Sequence, residues 1–296
     1  SNSNTCINCT AGNYCPDSSL GYMVPCAVGT YSGDGASVCT QCPAGFSCAS
    51  TSSSTTVGCT SGTFSVAGQG TCTSCPAGFA CTSTSSNVMT PCNAGYYSLG
   101  GTSTCTICPA GSYCPSRASS PLSCPAGSYS TTGQVICTVT PAGSYTNVPS
   151  SSNTILCASG SYSTGGASVC TSCNPGYLCP SGSTSPTPLG STCEIGGYCA
   201  SAAIRYGCPT GRYGIIAGGT SSGHACTECE PGYYCASTGL VKAGRTQCEV
   251  GYYCPMGSSN HQACPAGTFN DKPSQTSIGA CATCQAGKYC RNQGSS

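Results

Sequence analysis

Thirty-three of the 296 residues are cysteine, and they recur at a nearly fixed period. Units of 33 residues begin at Cys6, Cys39 and Cys72, and the cysteines within each follow the spacing Cys-x2-Cys-x5-Cys-x10-Cys. This cysteine content is typical of secreted proteins held together by disulfides in an oxidising compartment. Internal repeats are stronger evidence for architecture than chain length. The pattern therefore predicts an extracellular tandem array of small cross-linked modules.

The array divides into two regular regions and a short end. Residues 1–169 hold five repeats of about 33 residues, of which the fifth, 137–169, is degenerate. Residues 170–280 hold two repeats of about 55 residues, each with an inserted Cys-x5-Cys, and residues 281–296 form a truncated repeat.

The degenerate repeat indicates which cysteines pair. The fourth repeat reads CTICPAGSYCP and the fifth CTVTPAGSYTN, so Thr140 and Thr146 stand where two cysteines would be. The long repeats instead gained two cysteines together. Cysteines that are lost and gained in twos are most simply bonded to each other, because losing one partner leaves a free thiol. The spacing predicts local pairs Cys9–Cys15, Cys42–Cys48, Cys75–Cys81, Cys108–Cys114, Cys173–Cys179, Cys193–Cys199, Cys229–Cys235, Cys248–Cys254 and Cys284–Cys290.

The remaining cysteines then pair across the longer loops. These pairs are Cys26–Cys39, Cys59–Cys72, Cys92–Cys105, Cys124–Cys137, Cys157–Cys170, Cys208–Cys226 and Cys264–Cys281, which leaves Cys6 unpaired in this chain. The partner expected for Cys6 would belong to a preceding repeat, so both ends are interpreted as cuts through a longer array. An interlocked first-to-third, second-to-fourth connectivity is the main alternative.

The fold class follows from the residues around the cysteines. Trp is absent, Phe occurs 4 times, and 41 Gly and 20 Pro punctuate the chain, so material for one large apolar core is missing. Nearly every unit carries Gly-x-Tyr or Gly-x-Phe, in which the glycine permits a turn and the ring packs on a disulfide or a neighbouring unit. We expect small disulfide-rich repeats built from two-stranded β ribbons and loops. Strands of three to five residues, almost no helix and an elongated rod complete this prediction.

Charge restricts the partners and raises the question of solubility. Only 5 % of the residues are charged and the net charge is +1, so nucleic acid is not an expected partner. A surface near zero net charge tends to associate unless something else keeps it hydrated. Serine- and threonine-rich runs predict covalently attached O-linked glycans as that coat. Candidate positions are Ser52, Ser53, Ser54, Thr55, Thr56, Ser83, Thr84, Ser85, Ser86, Ser185 and Thr187, with Asn8 as the one N-linked sequon.

Other chemistry finds little support in the sequence. Repeated Cys-x2-Cys also occurs in zinc sites, but zinc takes ligands in fours and only His224 and His261 could replace a sulfur. Thioredoxin-like redox chemistry needs a helical context, and calcium needs clustered carboxylates. We therefore expect no catalytic residue, no metal site, no cofactor and no enzymatic activity. The sequence also shows no signal peptide and no apolar run long enough to span a bilayer.

The repeats resemble a known family. The segments CTQCPAGFSC, CTSCPAGFAC, CTICPAGSYC, CTSCNPGYLC and CTECEPGYYC are similar to ephrin-receptor-like cysteine-rich repeats and, more loosely, to tumour-necrosis-factor-receptor modules. Such repeats occur in receptors, in protist surface proteins and in proteins resembling the shaft component of flagellar hairs, the mastigonemes. The resemblance covers essentially the whole chain, although the fifth and the two long repeats depart from the pattern.

Two functions are compatible with these features. The first is an extracellular structural glycoprotein, a repeat rod that forms the shaft of a surface filament such as a mastigoneme-like or cell-coat fibre. Its partners would be further copies joined head to tail, or other fibre subunits. The alternative is the stalk or ligand-binding ectodomain of a cell-surface receptor, with recognition in the irregular segments 200–222 or 236–247. Tyr22 and Tyr206 lie outside the repeated motif and are candidates for such contacts.

Overall fold

The structure is a computed structural model that describes residues 8–17, 21–82, 87–290 and 293–294. Over these residues it contains fifteen two-stranded antiparallel ribbons, one helical turn, α1 (Ser222–Ala225), and two 3₁₀ turns at Lys242–Gly244 and Ile278–Ala280. The predicted fold class of small disulfide-rich repeats with almost no helix is confirmed.

The strands pair in chain order, each with its neighbour in sequence. Their bounds are β1 Asn13–Tyr14, β2 Val24–Pro25, β3 Thr30–Tyr31, β4 Thr40–Gln41, β5 Phe46–Ser47, β6 Val57–Gly58, β7 Thr63–Phe64, β8 Thr73–Ser74, β9 Phe79–Ala80, β10 Thr90–Pro91, β11 Tyr96–Tyr97, β12 Thr106–Ile107, β13 Ser112–Tyr113, β14 Leu122–Ser123, β15 Ser128–Tyr129, β16 Thr138–Val139, β17 Ser144–Tyr145, β18 Ile155–Leu156, β19 Ser161–Tyr162, β20 Thr171–Ser172, β21 Gly197–Ser201, β22 Ile204–Gly207, β23 Arg212–Gly214, β24 Cys226–Glu228, β25 Tyr233–Tyr234, β26 Thr246–Gln247, β27 Tyr252–Tyr253, β28 Gln262–Ala263, β29 Thr268–Phe269 and β30 Ala282–Thr283.

One seven-residue segment, which we call the turn motif, begins each ribbon. It starts at a cysteine, or at Thr140, and has glycine at its fourth position; copies begin at residues 9, 26, 42, 59, 75, 92, 108, 124, 140, 157, 173, 193, 208, 229, 248, 264 and 284. In all seventeen copies the glycine has a positive φ, between 79° and 95°. In the copy at residue 42, the Phe46 N–H donates to the Pro43 carbonyl at 3.1 Å across Gly45. A bond of this span with positive φ at the third residue defines a type II turn, which favours glycine there.

Most strands are two residues long, so the expectation of three to five residues was wrong for most of the array. The reason lies at position seven of the motif, where the chain leaves its ribbon to bond other motifs. The Cys48 N–H donates to Gln69, and the Cys48 carbonyl accepts from Gly29. Both polar groups that would lengthen the ribbon are therefore used between motifs. Among the described residues, only β21 and β22, with five and four residues, and β23 and β24, with three each, reach the expected length.

Consecutive motifs are joined through the backbone of the motif glycine. The Gly45 N–H donates to Ser65 of the next motif at 3.0 Å, and the Gly45 carbonyl accepts from Cys59 at 2.9 Å. The same two bonds recur at Gly232, to Cys254 and from Cys248. Because these bonds use backbone groups alone, they tolerate wide variation in the side chains.

The interior consists mainly of disulfides. Among the described residues, the buried apolar set contains only Ala80, Ala202, Tyr213 and Ala225 besides cysteines. The chain divides into two compact units, one comprising residues up to Thr138 with Val148–Asn153, the other Val139–Asn147 with the residues from Thr154 onward. Each unit is a succession of turn motifs of the same kind.

Candidate functional site

The disulfides form two classes, which the turn motif relates to each other. In closed motifs the first residue is bonded to the seventh; in open motifs the first residue is bonded onward, across its ribbon, to a later cysteine. The structure pairs the thirty-two cysteines in the sixteen local combinations given above, with Cα–Cα distances of 5.6 to 6.5 Å. These distances lie within the range that a disulfide spans without backbone movement. Cys6 lies outside the described residues.

In five of the seven open motifs, a polar side chain at position seven bonds the preceding motif; the exceptions are Ser98, which bonds Thr102, and Gly214. The hydroxyls of Ser32, Ser65, Ser130 and Ser163 donate to carbonyls of Asn13, Phe46, Ser112 and Ser144 at 2.7 to 2.8 Å. Each of the four serines is buried. Serine at this position therefore joins successive motifs, in addition to the glycine bonds.

The degenerate motif at residue 140 is an intact copy without its bridge. The hydroxyl oxygens of Thr140 and Thr146 lie 3.0 Å apart, within hydrogen-bonding distance, and both side chains are 1 % exposed. The glycine bonds persist, since the Gly143 N–H donates to Ser163 at 3.0 Å and the Gly143 carbonyl accepts from Cys157 at 2.9 Å. A pair of hydroxyl groups thus occupies the place of a disulfide. The two cysteines could be lost together because the two threonines fill the same buried space and can hydrogen-bond to each other.

The motif glycine is required by space as well as by its dihedral angle. A Cβ added at Gly232 would lie 2.6 Å from the Ser274 carbonyl oxygen, which belongs to a loop about forty residues further along the chain. We call the residue that meets the motif glycine in this way the loop position. Its N–H donates to the first residue of a motif, as in the bond from the Ser274 N–H to the Cys248 carbonyl at 2.7 Å. Real Cβ atoms do not approach oxygen this closely, so each such loop touches a motif glycine directly.

That loop position has its own conformational requirement. It is glycine in most copies, and the three non-glycine residues with positive φ among the described residues, Ser52, Ser150 and Ser274, all occupy it. A non-glycine residue in this region is strained by roughly 1–2 kcal/mol. The three serines are therefore strained positions in a contact that glycine provides in most copies.

The aromatic ring at position six packs on a nearby bridge. Tyr162 packs against the buried Cys173–Cys179 pair, and the buried Tyr213 contacts Cys229 and Cys235. In both cases the bridge belongs to the following motif. The tyrosines thus cover sulfur that would otherwise face water, which is the packing function that we expected for the Gly-x-aromatic pattern.

Most charged residues follow residue 193, and several of them meet at Glu230. Its carboxylate accepts from the Tyr213 hydroxyl at 3.1 Å, pairs with Lys242 at 3.2 Å, and bonds Arg245. The Arg245 guanidinium also lies 4.7 Å from the ring centre of Tyr233. Hydrogen bonds from Arg245 and Lys242 lower the pKa of Glu230, whereas burial and the bond to Glu230 raise the pKa of Tyr213. Because segment 236–247 supplies both cations, this cluster holds that segment against the array.

The predicted glycan positions lie in different surroundings. Ser52, Ser54, Thr55 and Asn8 are exposed, Thr56, Ser185 and Thr187 are half-buried, and Ser53 is buried. Two of these hydroxyls take part in turns, since Ser53 donates to the Ser50 carbonyl at 2.7 Å and Ser185 accepts from the Thr187 N–H at 3.2 Å. Ser83, Thr84, Ser85 and Ser86 lie outside the described residues.

The two tyrosines outside the repeated motif are both exposed. Tyr22 is 51 % exposed and Tyr206 is 44 % exposed. Tyr206 stacks on Tyr198 across the β21–β22 ribbon, with ring centres 5.5 Å apart. The register of this ribbon shifts at a bulge between Tyr198 and Ser201, so the ribbon is irregular where it enters segment 200–222.

Sequence reasoning missed that the repeat of 33 residues is two copies of one motif. Open and closed motifs share the turn, the ribbon and the glycine bonds, and they differ in the spacing of their bonded cysteines. The available signal was the glycine three residues after each motif start, which recurs every 15 to 21 residues along the chain. Long repeats contain three motifs, and short repeats contain two.

Within the described ranges, no group of three or more His, Cys, Asp or Glu residues is arranged to hold a metal ion. In the same ranges, no helix has the length and apolar character that crossing a membrane requires. No protein-family model matches the chain. Comparison with curated proteins likewise finds no significant match.

Proposed function

We propose that this chain is an extracellular structural protein, a repeat array that forms the shaft of a surface filament. The observation that carries the proposal is the recurrence of the inter-motif bonds within each of the two compact units, in which a motif glycine bonds the next motif through its N–H, its carbonyl or both. An array whose units bond only near neighbours can be extended indefinitely without changing its design. Such extension suits a shaft.

The cross-links support a mechanical role. Nearly every motif contains or begins a disulfide, and none of the sixteen bridges between described residues spans more than 18 residues of sequence. Short covalent loops limit how far each segment lengthens when the chain is pulled. The sixteen disulfides also indicate an oxidising, extracellular or secreted setting.

The surface supports association with further copies. Large aliphatic side chains are exposed along the array, among them Val38, Leu99, Ile136, Leu156 and Val169, and only 5 % of residues are charged. A surface of low charge with exposed apolar groups favours association between molecules. We propose head-to-tail copies of the chain, or other fibre subunits, as the partners, and covalently attached glycans as the coat of the exposed serines and threonines.

Electron imaging of the native protein tests this proposal. We expect continuous fibres with an axial repeat, whose density exceeds what the polypeptide fills. Discrete monomeric particles, or stalks that each end in a membrane, would contradict it. Concentration-dependent light scattering on the same material provides an independent measure of association.

A receptor ectodomain is the second candidate, and the β21–β22 region is what favours it. This ribbon is the longest in the described chain, and Ile204, Arg205 and Tyr206 are exposed on it. Exposed aromatic and arginine side chains are common at binding surfaces. The substitution Tyr206→Ala would abolish capture of a ligand under this hypothesis, and it would leave fibre formation unchanged under the first.

A further inference from the structure

One strand position is threonine far more often in open motifs than in closed motifs. This position lies in the second strand of each ribbon, two residues before the start of the following motif. The start of a motif is a cysteine in every copy except the one that begins at Thr140. In the seven open motifs the residue at this strand position is threonine six times, at Thr40, Thr73, Thr106, Thr138, Thr171 and Thr227, and Ala282 is the exception.

Strand register places five of these threonines directly opposite an aromatic residue, and four of the five rings are half-buried. These four pairs are Tyr31 with Thr40, Phe64 with Thr73, Tyr97 with Thr106 and Tyr162 with Thr171. Directly opposite residues of an antiparallel ribbon point to the same face, with Cβ atoms about 4.5–5.5 Å apart. In each pair the threonine is exposed and the ring is half-buried. These four open motifs thus present a hydroxyl beside the accessible part of a ring.

Strand preference does not by itself explain the hydroxyl. In the closed or degenerate motifs the same position is threonine only twice, at Thr90 and Thr246, and in the other such motifs of the first 170 residues it holds Val24, Val57, Leu122 and Ile155. Valine and isoleucine suit a strand as well as threonine does. In the part of the chain that the structure describes, Thr40, Thr73, Thr106 and Thr171 donate no side-chain hydrogen bond. The hydroxyl is therefore exposed, repeated and unused by the fold.

We propose that Thr40, Thr73, Thr106 and Thr171 carry an O-linked saccharide whose first sugar ring packs against the aromatic partner. A separate glycosyltransferase would use a nucleoside-diphosphate sugar. The threonine Oγ1 bonds the anomeric carbon while the bond from that carbon to the diphosphate breaks, and the hydroxyl proton passes to a base of the transferase. These sites differ from the serine-rich loops, and the proposal does not depend on filament formation.

The physical benefit is a hydrated group where charge is scarce. Between Asp34 and Glu194 the chain holds one charged residue, Arg117, and all four sites lie in that stretch. A surface glycan is bulky and solubilising. The C–H face of a sugar is apolar, so it can cover the exposed part of a tyrosine or phenylalanine while its hydroxyls face water.

The chain contains matched internal controls. Thr90 is exposed on a strand but lies opposite Ala80, which offers no ring. Thr227 lies opposite Tyr213, but the tyrosine is 4 % exposed and the threonine is half-buried. A modification that needs both an accessible hydroxyl and an accessible ring would spare both residues, and it would include Thr246, which is exposed opposite the half-buried Tyr234.

Site-localised peptide mass spectrometry on protein from its native source tests the proposal. We expect saccharide on Thr40, Thr73, Thr106 and Thr171, and also on Thr246, and none on Thr90 or Thr227. The proposal would be overturned if the four proposed threonines were unmodified. It would also be overturned by equal occupancy of Thr90, which would indicate that glycans attach to exposed threonines whether or not a ring lies opposite.

A variant tests the aromatic contribution. Tyr97→Ser, expressed in the native host, removes the ring opposite Thr106 and keeps the strand. We expect occupancy at Thr106 to fall severalfold while Thr73, opposite Phe64, keeps its sugar. Unchanged occupancy at Thr106 would refute the role of the ring. Because this readout is chemical, it is independent of whether the protein forms fibres.

Discussion

Restoring the missing bridge of the degenerate motif tests the correspondence between hydroxyl pair and disulfide. The double substitution Thr140→Cys with Thr146→Cys places two thiols where the hydroxyl oxygens lie 3.0 Å apart. The equivalent cysteines of the fourth repeat, Cys108 and Cys114, have a Cα–Cα distance of 6.0 Å and enclose the same Pro-Ala-Gly-Ser-Tyr sequence. We expect the double variant to form a seventeenth disulfide.

The expected gain follows from loop closure. For a loop of seven residues, the chain-entropy relation gives about 2.4 kcal/mol of stabilisation. The lost hydroxyl pair offsets about 1 kcal/mol of this. The net gain of roughly 1.4 kcal/mol corresponds to about a tenfold change in a local opening equilibrium.

Hydrogen exchange measures this change locally, which matters because an array of short cross-linked motifs is not expected to unfold in one step. The Gly143, Thr146 and Cys157 amides bond across this motif and its neighbours and should exchange about tenfold more slowly. The single substitution Thr140→Cys adds a thiol without a bridge and should show no slowing. The reverse exchange, Cys108→Thr with Cys114→Thr, should keep the fold and speed exchange by a similar factor. Free thiols in the native double variant, or pairing with other cysteines, would refute the reasoning.

Three further predictions concern the contacts between motifs. Ser150→Gly should relieve the positive φ of 59° and stabilise the array locally by about 0.5–1 kcal/mol, seen as slower exchange; faster exchange would contradict the strain argument. Gly232→Ala should destabilise by more than about 2 kcal/mol, because its Cβ would meet the Ser274 carbonyl, whereas Gly223→Ala, with open space around the Cβ, is the control. Since the pKa of Glu230 is lowered in the folded chain, its contribution is present above the usual value of 4.5 and is lost as pH falls through the folded pKa; exchange in segment 236–247 should rise there, and Glu230→Gln should abolish that pH dependence.

Much of the covalent framework could be predicted from the sequence, for a specific reason. The loss of two cysteines at Thr140 and Thr146 indicated a pair, and the structure brings these two residues together. The bonds of Gly45 and Gly232 to neighbouring motifs could not be predicted, because backbone bonds between segments leave no side-chain pattern. Strand length was overestimated for the same reason, since position seven bonds other motifs instead of extending its ribbon.

The turn motif also explains how the array changes length. A long repeat has one motif more than a short repeat, and the additional copies at Cys193 and Cys248 bring their own bridges, Cys193–Cys199 and Cys248–Cys254. A closed motif satisfies its cysteines internally and meets its neighbours through backbone groups. It can therefore be inserted between two motifs without leaving a free thiol. An open motif lacks this property, because its first cysteine needs a partner beyond its own ribbon. This difference explains why the insertions are closed motifs and why the one lost bridge is also of the closed kind.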